Sequence, residues 1–104
     1  LGLAYKKNID DLRESSSLKL IKLLKLNGII KICYADPFIK KIYTRDFNFG
    51  IENIKITPKN LKKFDIVIIM TDHDKFDFKL ILKHSKFIID TRGRFKTSHK
   101  VIRG

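Results

Sequence analysis

Three basic side chains occupy places where a phosphorylated ligand could be held. Lys6 follows the apolar run Leu3-Ala4-Tyr5, Arg92 follows Ile88-Ile89-Asp90-Thr91, and Arg13 lies in Asp10-Asp11-Leu12-Arg13-Glu14. Open α/β sheets bind ligands in the crevice outside the carboxyl ends of their strands. An ammonium or guanidinium at such an end suits phosphate or sugar oxygens, and the free N–H groups of a following helix start suit the same anion. Arg92 offers a planar fork that matches phosphate or uracil oxygens. Plainer readings stand beside these. On spacing alone Lys6 is one solvated lysine among many. Arg13 opposes the helix macrodipole, so it does nothing for helix stability, and a salt bridge to Asp10 or Asp11 would explain it.

Thr71-Asp72-His73-Asp74 places a histidine between two carboxylates, which could suggest a metal or acid–base site. Adjacent residues of that kind do not converge on one ligand, so no metal site and no catalytic residue is assigned. Cys33 sits within an apolar run and reads as a small buried hydrophobe rather than a nucleophile. Asp90 and Thr91 read as residues that hold the turn before Arg92, and Asp10, Asp11 and Ser15 as helix-capping residues.

The elements that must position these groups follow from hydrophobic periodicity and end signals. Residues 1–5 read as the tail of a first strand. Asp11 and Glu14 have capping-box spacing, opening a helix over residues 15–26 with a wide apolar face of Leu18, Leu20, Ile21, Leu23 and Leu24. Gly28 suits a left-handed position after the helix end. Residues 29–34 read as a second strand stopped by Asp36-Pro37, and residues 38–54 as irregular. Thr57-Pro58 reads as an N-cap followed by proline at the first helical position, giving a short helix to about Lys63. Residues 65–70 form a continuous apolar run, as expected of a strand covered on both faces. A short helix over 77–84 and a strand over 87–90 complete the order β-α-β-α-β-α-β, which predicts a parallel sheet with right-handed crossovers. Lys6, Asp36, Thr71-Asp72 and Asp90-Thr91-Arg92 then gather at the carboxyl ends.

Bulk properties agree with one globular domain. A chain of 104 residues buries about two-thirds of its unfolded surface, and its 43% hydrophobic content argues against disorder. No apolar stretch approaches the roughly 20 residues that span a bilayer, and no signal peptide is visible, although Leu1 opens the chain in the middle of a motif. One cysteine forms no internal disulfide, and a cytoplasmic location is the default. The net charge of +12 comes mostly from lysines spread along the chain, in the company of Ile, Asn and Phe. Arginine, preferred for reading phosphates and bases, is scarce, so neither nucleic acid nor membrane is expected as a partner.

The segment from Leu3 to Ser15 closely resembles the UDP-glucose/GDP-mannose dehydrogenase family, in its C-terminal UDP-binding domain. Ile88-Ile89-Asp90-Thr91-Arg92-Gly93 resembles the domain's second signature at the right distance. Tyr34-Ala35-Asp36-Pro37 and Phe64-Asp65-Ile66-Val67-Ile68 resemble two of its strand ends. Thr71-Asp72-His73 with Phe76-Asp77 is more similar to the UDP-N-acetylhexosamine branch than to UDP-glucose dehydrogenases, and Lys100-Val101-Ile102-Arg103 resembles the family's terminus. Ser16 stands where proline is common and Gly93 where asparagine is common.

The resemblance implies a three-layer Rossmann-like α/β domain with a short parallel sheet and a truncated first strand. It implies Tyr5, Lys6 and Arg92 as substrate contacts and Arg13 as a contact to NAD, a cofactor bound mainly by an N-terminal domain. Residues 1–104 would then be the UDP-sugar-binding domain alone, without the N-terminal and central domains that carry the Gly-rich turn and the catalytic cysteine. The parent enzyme would oxidise a UDP-N-acetylglucosamine or UDP-N-acetylmannosamine to the uronate for surface polysaccharide, and would form a homodimer. The alternatives are a stand-alone or remnant nucleotide-binding domain without catalysis, and a basic nucleic-acid-binding module.

Overall fold

A computed structural model describes residues 1–3, 16–29, 31–39 and 51–104. Among these, helix α1 spans Ser16–Leu26, α2 Pro58–Lys63 and α3 Phe78–His84, while strands β1 (Val67–Ile69), β2 (Ile88–Asp90) and β3 (Val101–Arg103) form a parallel sheet in the order β1-β2-β3. The expected α/β class with a short parallel sheet is what the chain adopts.

The parallel hydrogen-bonding pattern continues past β1. The Leu1 amino group donates to the Ile68 carbonyl at 2.6 Å, and Met70 N–H returns a bond to the Leu1 carbonyl. On its other side Gly2 N–H donates to the Ala35 carbonyl, and Tyr34 pairs in parallel with Asn53. Residues 1–3 therefore lie between β1 and residues 34–36. The fit is close: a Cβ on Gly2 would stand 2.6 Å from Thr71 Cβ, and the residue has φ +84°, so only glycine suits this crossing.

Helix ends follow the sequence signals. Thr57 accepts the Asn60 N–H at 3.1 Å and Pro58 opens α2, where a missing N–H costs nothing. Asp77 caps α3 by accepting the Leu80 N–H, and Gly28 has φ +86° after α1. Lys100 Nζ donates to the Leu82 and Lys83 carbonyls, placing a cation at the negative end of α3.

The core has two parts. Leu61, Val67, Ile69, Phe76, Ile81, Ile88 and Val101 join α2 and α3 to one face of the sheet. Leu3, Leu18, Ile21, Tyr34 and Ile39 seat α1 against residues 1–3 and 34–39.

Three expectations need correction, and one strand is added. The apolar face of α1 is narrower than expected, with Leu23 57% exposed. Leu23 lies about 140° around the helix from Leu18, too far to share its face. Of the strand expected over 29–34, the described residues 29 and 31–33 lie in no regular strand: Ile29 N–H is taken by the Leu24 carbonyl at the helix end, and pairing begins at Tyr34. The run over 65–70 is fully covered on one face and only partly on the other: Val67 and Ile69 are buried, Ile68 and Met70 half-buried, and Ile66 is 51% exposed. The added strand is β3: three residues among charged neighbours give too short a period to read, yet Val101 is fully buried beside Ile88.

Candidate functional site

The carboxyl ends of residues 1–3, 34–36, β1 and β2 converge on one side of the sheet, and a set of polar side chains shapes the loops there. Asp90 ends β2 and is 1% exposed. Its Oδ1 accepts the Arg92 N–H at 3.0 Å and its Oδ2 accepts the Phe95 N–H at 2.7 Å, so one carboxylate folds the whole turn that carries Arg92. Thr91 Oγ1 donates to the Ile69 carbonyl, fastening that turn to the end of β1.

Arg92 is exposed, and its Nε donates to the Met70 carbonyl at 2.7 Å. The guanidinium therefore stands over the end of β1 instead of trailing into solvent. Arg94, two residues on, lies 4.3 Å from the Phe78 ring centroid and 4.0 Å from Asp72 Oδ2. Two guanidinium groups thus flank the loop after β1, each oriented by a neighbour. That arrangement can bind an anion with little side-chain entropy left to lose.

Behind this surface is a buried polar hub. His73 Nε2 lies 3.1 Å from Asp36 Oδ2, and both side chains are fully buried. Asp36 Oδ2 also accepts the Leu3 N–H at 2.8 Å, while Oδ1 accepts the N–H groups of Phe38 and Ile39. The imidazole packs against the rings of Phe38 and Phe76, with centroids at 4.9 and 5.4 Å. Sequence reasoning left His73 without a role. No local pattern pairs it with a residue 37 positions away, although Asp36-Pro37 reads as the stop of the preceding strand.

Of the residues singled out from the sequence, Arg92 stands at this edge. Tyr5, Lys6 and Arg13 lie outside the described residues. Asp72 and His73 diverge, one beside Arg94 and the other buried on Asp36. Among the described residues no group of three or more His, Cys, Asp or Glu could hold a metal. Cys33 is half-buried, and burial, aided by Glu52, pushes its thiol up, away from the reactive thiolate. No described helix is long and apolar enough to cross a membrane.

A cavity of about 70 Å³ lies elsewhere, between α2 and the sheet, lined by Cys33, Tyr34, Ile54, Leu61, Phe64 and Val67. It is apolar and far below the several hundred Å³ typical of sites for drug-sized ligands, so the open carboxyl edge remains the candidate. The chain's five glycines, at positions 2, 28, 50, 93 and 104, contain no Gly-x-Gly-x-x-Gly spacing.

The chain is similar to known proteins over most of its length. The model of the UDP-glucose/GDP-mannose dehydrogenase family, UDP binding domain, matches residues 1–97. The chain is 33% identical over 93 residues to the NDP-N-acetyl-D-galactosaminuronic acid dehydrogenase of Ralstonia solanacearum, covering 88% of this chain and 21% of that protein. It is 30% identical over 100 residues to the UDP-N-acetyl-D-mannosamine dehydrogenase of Methanocaldococcus jannaschii, again covering 88% and 21%. The enzyme of that name from Campylobacter jejuni is 35% identical over 78 residues, covering 73% and 19%. The chain spans about a fifth of the length of these relatives. No solved structure matches it significantly.

Proposed function

Because the chain belongs to the UDP-glucose/GDP-mannose dehydrogenase family, as its UDP-binding domain, we propose that it supplies the nucleotide-holding half of an NAD-dependent UDP-sugar 6-dehydrogenase. The observation that carries this reading is Arg92, set over the end of β1 by Asp90 and the Met70 carbonyl. A guanidinium held there presents its donors to a diphosphate or a uracil carbonyl with the strand ends beneath. Tyr5 and Lys6, next along the chain from Leu3, would contact the sugar nucleotide from the neighbouring strand end.

The names of two relatives, both N-acetylhexosamine derivatives, support a substrate of that class. We assign the parent reaction to oxidation of a UDP-N-acetylhexosamine to its uronate. Hydride acceptance is the chemistry that NAD supplies. This chain's residues bind and orient, so their binding energy acts on the reacting carbon from a distance. Arg13 would meet the cofactor across the domain boundary, and a homodimer of the parent enzyme would present two such clefts.

Titration of the chain with UDP, UDP-N-acetylglucosamine, UDP-glucose and GDP tests the reading. Half a cleft should bind the three uridine nucleotides near millimolar Kd, about 4 kcal/mol of free energy, with little difference among them. GDP should bind distinctly more weakly. Equal affinity for GDP, or no uridine nucleotide binding, contradicts it.

A further inference from the structure

We infer that the buried Asp36–His73 pair is the positioning element of the nucleotide edge, fixing the strand end that leads to Tyr5 and Lys6 relative to the loop after β1; this rests on the functional reading above. The two residues come from the carboxyl ends of segments that flank residues 1–3, and neither is exposed. A carboxylate offers about four acceptor positions, and Asp36 fills all four. Three go to the main-chain N–H groups of Leu3, Phe38 and Ile39, and the fourth goes to His73 Nε2. Nε2 therefore acts as the donor.

The geometry separates this role from simple packing. Apolar side chains of similar volume can match a buried charged pair in stability, so stability alone does not require the pair. Directed acceptors on three main-chain groups are what an apolar replacement cannot supply. Leu3 stands two residues before Tyr5, and its N–H is held at 2.8 Å by the same oxygen that His73 engages. Thr71, two residues before His73, packs directly against Gly2. A shift of His73 therefore moves Leu3 relative to the β1 end, where the Met70 carbonyl holds Arg92. Because the pair does not reach solvent, it acts through these neighbours and is a positioning pair, not a catalytic one.

The test uses the 104-residue chain with His73→Phe, which keeps a ring and removes the donor, and His73→Gln, whose amide nitrogen reaches as far as imidazole Nε2. The amide resonances of Leu3, Phe38 and Ile39 and the Kd for UDP are measured in each. His73→Phe should shift the Leu3 amide and weaken UDP binding at least tenfold, and His73→Gln should restore most of both. Should His73→Phe unfold, His73→Asn replaces it, since its donor falls one methylene short. Equal UDP affinity in the donor-lacking variant and the wild type overturns the inference. If the wild type binds no UDP, the functional reading fails. The amide resonances then decide the pair's role separately: a Leu3 amide unmoved by loss of the donor overturns it.

Discussion

Arg92 Nε donates to the carbonyl of Met70 at 2.7 Å, so the cation after β2 is aimed by the end of its neighbouring strand. That bond explains how an exposed side chain can have a defined direction. It also predicts what substitution does. A charge-assisted hydrogen bond is worth roughly 1.5–3 kcal/mol, so Arg92→Ala should weaken UDP binding about ten- to a hundredfold. In the complete enzyme the loss should fall mainly on KM, because the nucleotide is held alike in ground and transition states. Arg92→Lys should recover only part, since an ammonium cannot make two parallel contacts. Isothermal titration of the three forms checks this.

Gly2→Ala should be among the most damaging single changes. It puts a Cβ where Thr71 Cβ and its carbonyl oxygen both stand 2.6 Å away, at a positive φ. Overpacking against backbone and a left-handed alanine together cost about 2–4 kcal/mol. For a domain of this size each kcal/mol lowers Tm by roughly 4–8 °C. A thermal melt of the variant should show a fall of at least about 8 °C.

Stability of the 104-residue polypeptide should rise with pH between 6 and 8. Burial, partly offset by Asp36, pushes the Leu1 amino group from 8.0 down to about 6. In that window the unfolded chain holds a proton that the folded chain does not, so folding gains as pH rises. The stabilisation is fully present above the unfolded value and is lost as pH falls through the folded one. It amounts to on the order of 2 kcal/mol. His84, pushed down by burial and by Lys62, Lys83 and Lys100, acts in the same direction. Urea midpoints at a series of pH values should climb across this range; a flat or falling series contradicts the assignment.

How much of this could be read in the residues alone depends on how local each signal is. Thr57-Pro58, Asp77 and Gly28 are local chemistry, and the elements they bound lie where the sequence placed them. The turn of Asp90 is local too, since both of its acceptors serve residues within five positions. Strand β3 and the exposure of Leu23 depend on which elements pack together, which periodicity does not report. The Asp36–His73 pair is the clearest case: each residue reads as an ordinary loop polar group until the sheet brings them together. Tyr5, Lys6 and Arg13 rest on the family resemblance.

The chain alone should not reduce NAD with any UDP-sugar. Cys33 is its sole thiol, pushed up by burial, and its glycines lack the Gly-x-Gly-x-x-Gly spacing. NADH produced by pure chain above a protein-free control would contradict the division of labour argued above.

The most direct test is where UDP lands. A chemical-shift titration of the isotope-labelled chain with UDP reports every amide at once. The account predicts shifts at Thr71 and Asp72, through residues 91–94 and at Lys6 and residues 11–13, saturating near millimolar ligand. Shifts confined to the lysine face of α1, at Lys19, Lys22 and Lys25, would mark a nonspecific anion site and contradict it.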